Sequence, residues 1–323
     1  MKRTDNPSIS VSREQEGSLA NRFRWLLRQI WKHRLLYLLL IPGIAYFLIF
    51  RYTPLFYAQL AFRDFRPALG VLESPFVGFK HFQTFFNSFY FDQLLGNTII
   101  ISIAKLLFGM PPAIILAIAL SETRLFRLGR LTQTVSYLPH FLSWVVMFGI
   151  LLAILSPNQG FINQVLSWFG IRSIAFLTSP DWFRAVLIGS DIWKETGWAA
   201  ILYLAALLAI DPTLYEAAEI DGASRLQRIW HISLPGLKDV IVLVTLLRLG
   251  SILDAGFGQI FVLYSLPVYS VADVIDTWVY RQGILNFQFG LATAVGLFKG
   301  VIGLLLIVTA NRIARRLVGS SLY

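Results

Sequence analysis

Glu216-Ala-Ala-Glu-Ile-Asp-Gly-Ala-Ser-Arg-Leu-Gln-Arg-Ile-Trp-His-Ile-Ser-Leu-Pro235 is a short polar segment set between two long apolar runs. Each half predicts a brief helix. Asp211 ahead of Pro212 opens the first, as an N-cap followed by the residue whose missing N–H costs nothing at that position. Thr213-x-x-Glu216 supplies a capping box there. Leu214, Ala217 and Ala218 share a face, and Asp221-Gly222 stops the helix. Ser224-x-x-Gln227 caps the second helix. Its apolar face is Leu226, Ile229 and Trp230, with Gln227, Arg228 and His231 opposite. Leu234-Pro235 is expected to break that helix before the next apolar run. A segment this patterned, in a chain otherwise soluble in lipid, reads as a surface made to be touched.

The surrounding chain sets the class. Its 323 residues are 56% hydrophobic and only 14% charged, with a mean hydropathy of +0.64. A soluble domain carries nearly twice that charge. The apolar residues come in runs of about 20, the length that crosses a bilayer. The expectation is an all-α integral membrane protein with six transmembrane helices, at 35–57, 97–120, 132–155, 184–210, 237–264 and 289–311. Residues 1–34 form an N-terminal tail, polar to about 20 and then a basic amphipathic segment at 21–34. Residues 35–316 are the transmembrane domain, 211–236 the polar loop within it, and 317–323 a short tail. No small-residue cleavage site follows the basic leader, so no cleaved signal peptide is expected. There is no cysteine, which excludes disulfides and thiol chemistry.

Lysine and arginine bias orients the chain. Seventeen fall in the leader, the loop carrying Arg124, Arg127 and Arg130, the 211–236 region with Lys238, and the tail; seven are spread over the longer opposite loops. Both termini and the Glu216–Pro235 loop are therefore expected in the cytoplasm. The net charge of +10 sits at span ends and does not point to nucleic acid. The outer segments are aromatic, with eight phenylalanines between Phe65 and Phe91. Most of these read as an interfacial belt.

Ionisable groups at bilayer depth cost about 2.5–3.5 kcal/mol each on insertion scales, so each needs a role. The fourth span holds Asp191, Trp193, Lys194, Glu195, Gly197 and Trp198 within two turns. Asp191 and Lys194 are one turn apart and can pair. Asp191 and Glu195 share a face and repel unless a base lies between them. Lys105, Arg248, Asp254 and Lys299 lie in other spans; Lys105 and Lys299 read equally well as structural or functional. The candidate substrate pathway is Asp191, Trp193, Lys194, Glu195, Trp198, Arg248 and Asp254. Tryptophan faces stack on sugar C–H surfaces while neighbouring polar groups bind hydroxyls. Bases slightly outnumber acids within the spans, a hint of an anionic sugar that packing against a partner subunit explains equally well. Pro111-Pro112 and Pro139 are expected to kink or unwind their helices. Ala292, Gly296, Gly300 and Gly303 form a small-residue stripe that would admit a close helix.

Glu216-Ala217-Ala218, Asp221-Gly222-Ala223, Ile232 and Leu234-Pro235, at these spacings, resemble the signature loop of the membrane subunits of ATP-binding-cassette importers. The stretch Trp193-Lys194-Glu195-Thr-Gly-Trp198 resembles the maltose-type, oligosaccharide branch, including alginate-like polysaccharide permeases. The likeness extends over about 30–320, its specific part at 193–235; one departure is the family's usual aromatic before the final stretch, where this chain has Ile229 followed by Trp230. The resemblance implies that Glu216, Ala217, Ala218, Glu219, Asp221, Gly222, Ala223, Ser224, Arg228, Ile232 and Pro235 make a coupling helix and its flank, docked on an ATP-binding subunit. It further implies a second permease in a heterodimer, two ATP-binding subunits and an external solute-binding protein. It places the assembly in a bacterial inner membrane and implies import of a saccharide, acidic in the alginate-like case, by alternating access.

The chain has no Gly-x-x-x-x-Gly-Lys-Ser/Thr, so no cofactor is expected on it and ATP-Mg belongs to the partners. It has no His-Glu-x-x-His or Gly-x-Ser-x-Gly. Its four histidines are dispersed, so no metal site and no catalytic residue is expected. Two rival classes are an ion-coupled secondary transporter, which usually carries an internal repeat not evident here, and a membrane enzyme or scaffold, for which only Asp191, Lys194 and Glu195 are available.

Overall fold

A computed structural model describes residues 24, 25, 28, 29, 31–123 and 126–318. The N-terminal tail, most of the amphipathic segment at 21–34, Arg124 and the tail at 319–323 lie outside the described residues. Among those described there is no β-strand, only two isolated bridges in a loop, Arg63 with Phe76 and Arg66 with Gly70. The chain divides into two compact units at Gln59 and Leu60. The first contains α1 (Arg34–Phe47), which continues through a π-turn at Leu48–Tyr52 into Thr53–Tyr57.

The second unit is built on α2 (Phe91–Ser121), α3 (Phe126–Tyr137), α4 (Trp144–Leu155), α5 (Pro180–Leu208), α6 (Pro212–Ile220), α7 (Leu234–Gly250), α8 (Phe257–Leu263), α9 (Ile275–Tyr280) and α10 (Phe289–Val318). Three helices are long and apolar enough to cross a membrane: Arg34–Phe62, Phe91–Ser121 and Phe289–Arg316. Three more spans result if each bent pair counts once. These are α3 with α4, bent by 108°, α5 with α6, bent by 70°, and Arg225–Gly250 with Ile252–Leu263, bent by 48°.

Proline positions explain part of the bending. Pro139 removes an N–H between α3 and α4, and the chain tightens there into a 3₁₀ turn, Leu138–Phe141. Pro111 and Pro112 differ: α2 runs through both as one helix. Pro235 also fails to break its helix. The turn Ile229–Ser233 widens to π geometry and feeds directly into α7, so Pro235 falls in the first turn, where no N–H is needed.

The core centres on α5, which packs along α2. On the half that carries the Glu216–Pro235 loop, Ala113 and Ala117 of α2 meet Ala199, Ala200 and Tyr203 of α5, with Leu237 and Val244 of α7. Small residues let these backbones approach closely in the absence of a hydrophobic drive between helices in lipid. Gly197 takes this furthest: a Cβ there would overlap the Ser136 carbonyl on α3. In the other half, Ile101, Leu151, Phe183, Leu187 and Ile260 form a second cluster. Buried polar groups pin the outer segments to it. Asn97 donates to the carbonyl of Asp273 at 2.9 Å, Arg184 donates to Asn97 Oδ1 at 2.7 Å, and Arg281 donates to Asp273 Oδ1 at 2.8 Å. Of the small-residue stripe, Gly303 faces the Gly250 carbonyl of α7, while the Cα atoms of Gly296 and Gly300 look into open space.

Candidate coupling loop and intramembrane polar site

Local chemistry builds the loop. The Asp211 carboxylate accepts the Thr213 N–H at 2.9 Å and caps α6 with Pro212 in its first turn. That bond holds the Asp211 carboxyl below its usual range. The cap thus sits on Asp211, and no Thr213–Glu216 box forms, because Pro212 starts the helix one residue before Thr213. The helix ends at Gly222, whose φ of 77° is left-handed. The Ala223 N–H reaches back to Ala218 O at 2.8 Å and closes the turn. Ser224 then forms the expected capping box with Gln227, its N–H donating to Gln227 Oε1 at 2.7 Å. Two contacts make a hairpin of the halves: Arg228 donates to Glu219 at 3.1 Å, and the Tyr215 and Ser233 hydroxyls are 3.0 Å apart. Glu216, Ala217, Glu219, Asp221 and Gly222 are left exposed, beside an 87% exposed Ile220. Ala218, Ala223 and Ile232 are half-buried, and Ser224 and Pro235 are exposed on the flank. The hairpin thus presents an acidic, capped knob with Ile220 exposed on it.

Inside the bundle the seven candidate pathway residues separate. Asp191, Glu195 and Arg248 line one polar cavity of about 210 Å³, with Ser102, Lys105 and Ser251. Asp191 pairs with Lys105 at 3.3 Å rather than with Lys194. Lys105 Nζ also donates to Ala255 O at 3.0 Å and to Gln259 Oε1. Gln259 in turn donates to Leu187 O and Ser190 Oγ, each at 2.8 Å. Lys105 is thus the base that holds Asp191 and at the same time satisfies the Ala255 carbonyl exposed where α7 breaks before α8. That break contains Ala255 and Gly256, both with positive φ.

Lys194 turns the other way. Its buried ammonium donates to the carbonyls of Pro139 (3.2 Å), His140 and Leu142 (2.8 Å), at the bend between α3 and α4. Trp198 stacks on His140 with ring centroids 4.5 Å apart and planes 2° apart, so one of its faces is occupied. His140 Nδ1 lies 2.9 Å from Glu195 Oε2. Trp193 faces away from the polar cavity and lines a separate apolar one of about 560 Å³, between α3 and α5. Asp254 pairs with Lys299, which also donates to Asp276 at 2.7 and 2.8 Å. Sequence reasoning did not single out His140, Ser102 or Gln259. None carries a local signal, because each acquires its role from a distant segment. Among the described residues no group of His, Asp and Glu has metal-site geometry.

Comparison with known proteins bears on both sites. Residues 109–319 match the family model "Binding-protein-dependent transport system inner membrane component". The chain is 41% identical over 298 residues to the polygalacturonan/rhamnogalacturonan transport system permease protein YteP of Bacillus subtilis (strain 168), covering 92% of this chain and 93% of that one. It is 44% identical to protein LplB of the same organism, over 87% and 88% of the two chains. A chain from the crystal structure of a bacterial alginate ABC transporter, in complex with its alginate pentasaccharide-bound periplasmic protein, superposes with a TM-score of 0.85. The two are 41% identical, over 92% of this chain and 99% of that one.

Proposed function

The chain belongs to the family of binding-protein-dependent transport system inner membrane components, and we propose that it carries an acidic oligosaccharide past Arg248. It is a permease of an ABC sugar importer; its relatives move pectic and alginate-type polymers. One observation supports the acidic cargo. The Arg248 guanidinium lines the polar cavity and, among the described residues, makes no hydrogen bond or ion pair. A planar fork left free in a low-dielectric cavity suits a sugar carboxylate, which it can bind through two parallel hydrogen bonds. Asp191 and Glu195 offer acceptors for sugar hydroxyls on the same wall. Lys194 and Asp254 serve instead to hold the helices, and Trp193 and Trp198 to shape the walls around the bend.

In this reading six spans cross the membrane with both termini in the cytoplasm. The exposed knob from Glu216 to Gly222 docks on an ATP-binding subunit, where ATP-Mg is bound. A second permease completes the pathway, and an external solute-binding protein delivers the sugar. Closure of the ATPase pair moves α6, and the rigid hairpin transmits that movement to α5 and α7, between which it lies. Transport then follows from a differential interaction of the knob with the two ATPase states.

The test is uptake by vesicles containing the assembled importer. A labelled oligouronate is compared with a neutral oligosaccharide of the same length, for wild type and Arg248→Gln. Selective loss of the acidic substrate is expected. Equal effects on both substrates, or none, would remove Arg248 and the acidic cargo together.

A further inference from the structure

A second polar cavity, of about 370 Å³, lies at the other end of the bundle, where α2 and α5 terminate against the coupling hairpin. Its size is within the range of small-ligand sites. Glu122, at the C-terminus of α2, and Arg225, in the turn Arg225–Arg228, both line it. Among the described residues neither side chain makes a hydrogen bond or ion pair, and they do not pair with each other. Arg228 lines the same space. One of its terminal nitrogens holds Glu219, while its Nε is fully buried with no hydrogen-bond partner.

Opposite charges that face one cavity without meeting leave room for a dipolar molecule between them. The open Arg225 fork suits a phosphodiester, with Arg228 beside it as a second positive charge. The Glu122 carboxylate suits a primary ammonium, which can donate to it. Arg228 is already paired with Glu219, which lies outside the lining, so the open charges of the cavity are Arg225 against Glu122, and a zwitterion fits better than an anion. The remaining lining mixes Ser121, Thr123 and Tyr215 with the apolar Leu207 and Leu208, and Leu208 is 73% exposed. Trp230, 62% exposed nearby in the chain, is the residue type that settles at a membrane–water interface. We propose that this cavity binds the headgroup of phosphatidylethanolamine from the leaflet on the coupling-loop side. The phosphodiester sits on Arg225 and Arg228, the ammonium on Glu122, and the acyl chains leave past Leu208. The lipid thereby bridges the end of α2 to the hairpin that carries α6.

Native mass spectrometry of the intact importer tests this, with phosphatidylethanolamine, phosphatidylcholine and phosphatidylglycerol of identical acyl chains. Wild type should retain phosphatidylethanolamine over phosphatidylcholine by about tenfold, the value of one charge-assisted hydrogen bond that a quaternary ammonium cannot make. Glu122→Gln should erase that preference, and Arg225→Gln should weaken both lipids alike, in complexes that still copurify with the ATP-binding subunits. Equal retention of the two lipids by wild type overturns the proposal without recourse to any variant. So does strongest retention of phosphatidylglycerol, which would make the cavity an anion site. Displacement of the lipid by equimolar phosphoethanolamine would also overturn it, since a free headgroup would then suffice.

Discussion

Gly222 allows the coupling hairpin to be tested by conformation rather than by contact. Its φ of 77° is one that only glycine adopts without cost, and a Cβ built there meets no atom within 4 Å. Sterics inside this chain therefore contribute nothing to the cost of a substitution; only the backbone does. An alanine in the left-handed region costs about 1–2 kcal/mol, a β-branched residue more, and asparagine less. That corresponds to roughly a 5–30-fold shift of the hairpin away from the turn closed by the Ala223–Ala218 hydrogen bond. The coupling ratio, sugar imported per ATP hydrolysed by the reconstituted importer, should then fall in the order Gly, Asn, Ala, Val. Asparagine is larger than alanine, so the order separates two explanations. If Gly222 mattered because a partner presses on it, alanine would be tolerated better than asparagine. Alanine outperforming asparagine would refute the conformational account, and full coupling by Gly222→Val would refute the role of the hairpin.

Four further outcomes follow from the geometry. Arg248→Lys keeps the charge but loses the planar fork, and should reduce kcat/KM for an oligouronate by about tenfold, less than Arg248→Gln, in the same uptake assay. Lys194→Met leaves the His140 and Leu142 carbonyls without their ammonium donor, and should lower the thermal stability of the complex for every substrate alike; a loss confined to one sugar, at unchanged stability, would instead put Lys194 in the pathway. Gly197→Ala forces α5 off the Ser136 carbonyl and should cost about 1–3 kcal/mol by overpacking, read as a fall in melting temperature. The Asp211 cap is present above the ordinary carboxylate range and is lost only as pH falls through its depressed folded value, so amide exchange at Thr213, taken relative to its intrinsic rate, should quicken only below the ordinary carboxylate range in wild type and show no such rise in Asp211→Asn.

What could be read in the sequence was local. Asp211-Pro212, Gly222 and Ser224-x-x-Gln227 each act over fewer than five residues, and each capping or turn feature except the Thr213–Glu216 box appears where its chemistry requires. The box was lost because Pro212 fixes the start of the helix and gives the cap to Asp211. The break expected at Pro235 did not form because a π-turn upstream moves the proline to a position where it has nothing to lose. The partners of the buried charges were not legible. Asp191 has a lysine one turn away, yet pairs with Lys105 from another span. A one-turn neighbour is only one competitor in a bundle, and Lys194 had a stronger claim elsewhere, in the carbonyls freed at the α3–α4 bend.

That competition bears on why the spans are broken at all. Each break exposes carbonyls that hydrocarbon cannot satisfy. At the α3–α4 bend three are taken by Lys194, and at the α7–α8 break that of Ala255 is taken by Lys105. Both lysines project from long, unbroken helices, α5 and α2. An ammonium suits this task because it has three donors and needs no planar partner. Used this way, the lysines fix irregular backbone beside the polar cavity, as a transporter requires where its helices are discontinuous. The guanidinium of Arg248 does no such work in this arrangement. The division between lysines that hold the backbone and an arginine left open is the physical basis for assigning recognition of the cargo's carboxylate to Arg248 rather than to a lysine. A Lys105→Met variant that kept uptake and assembly intact would break the argument at its root.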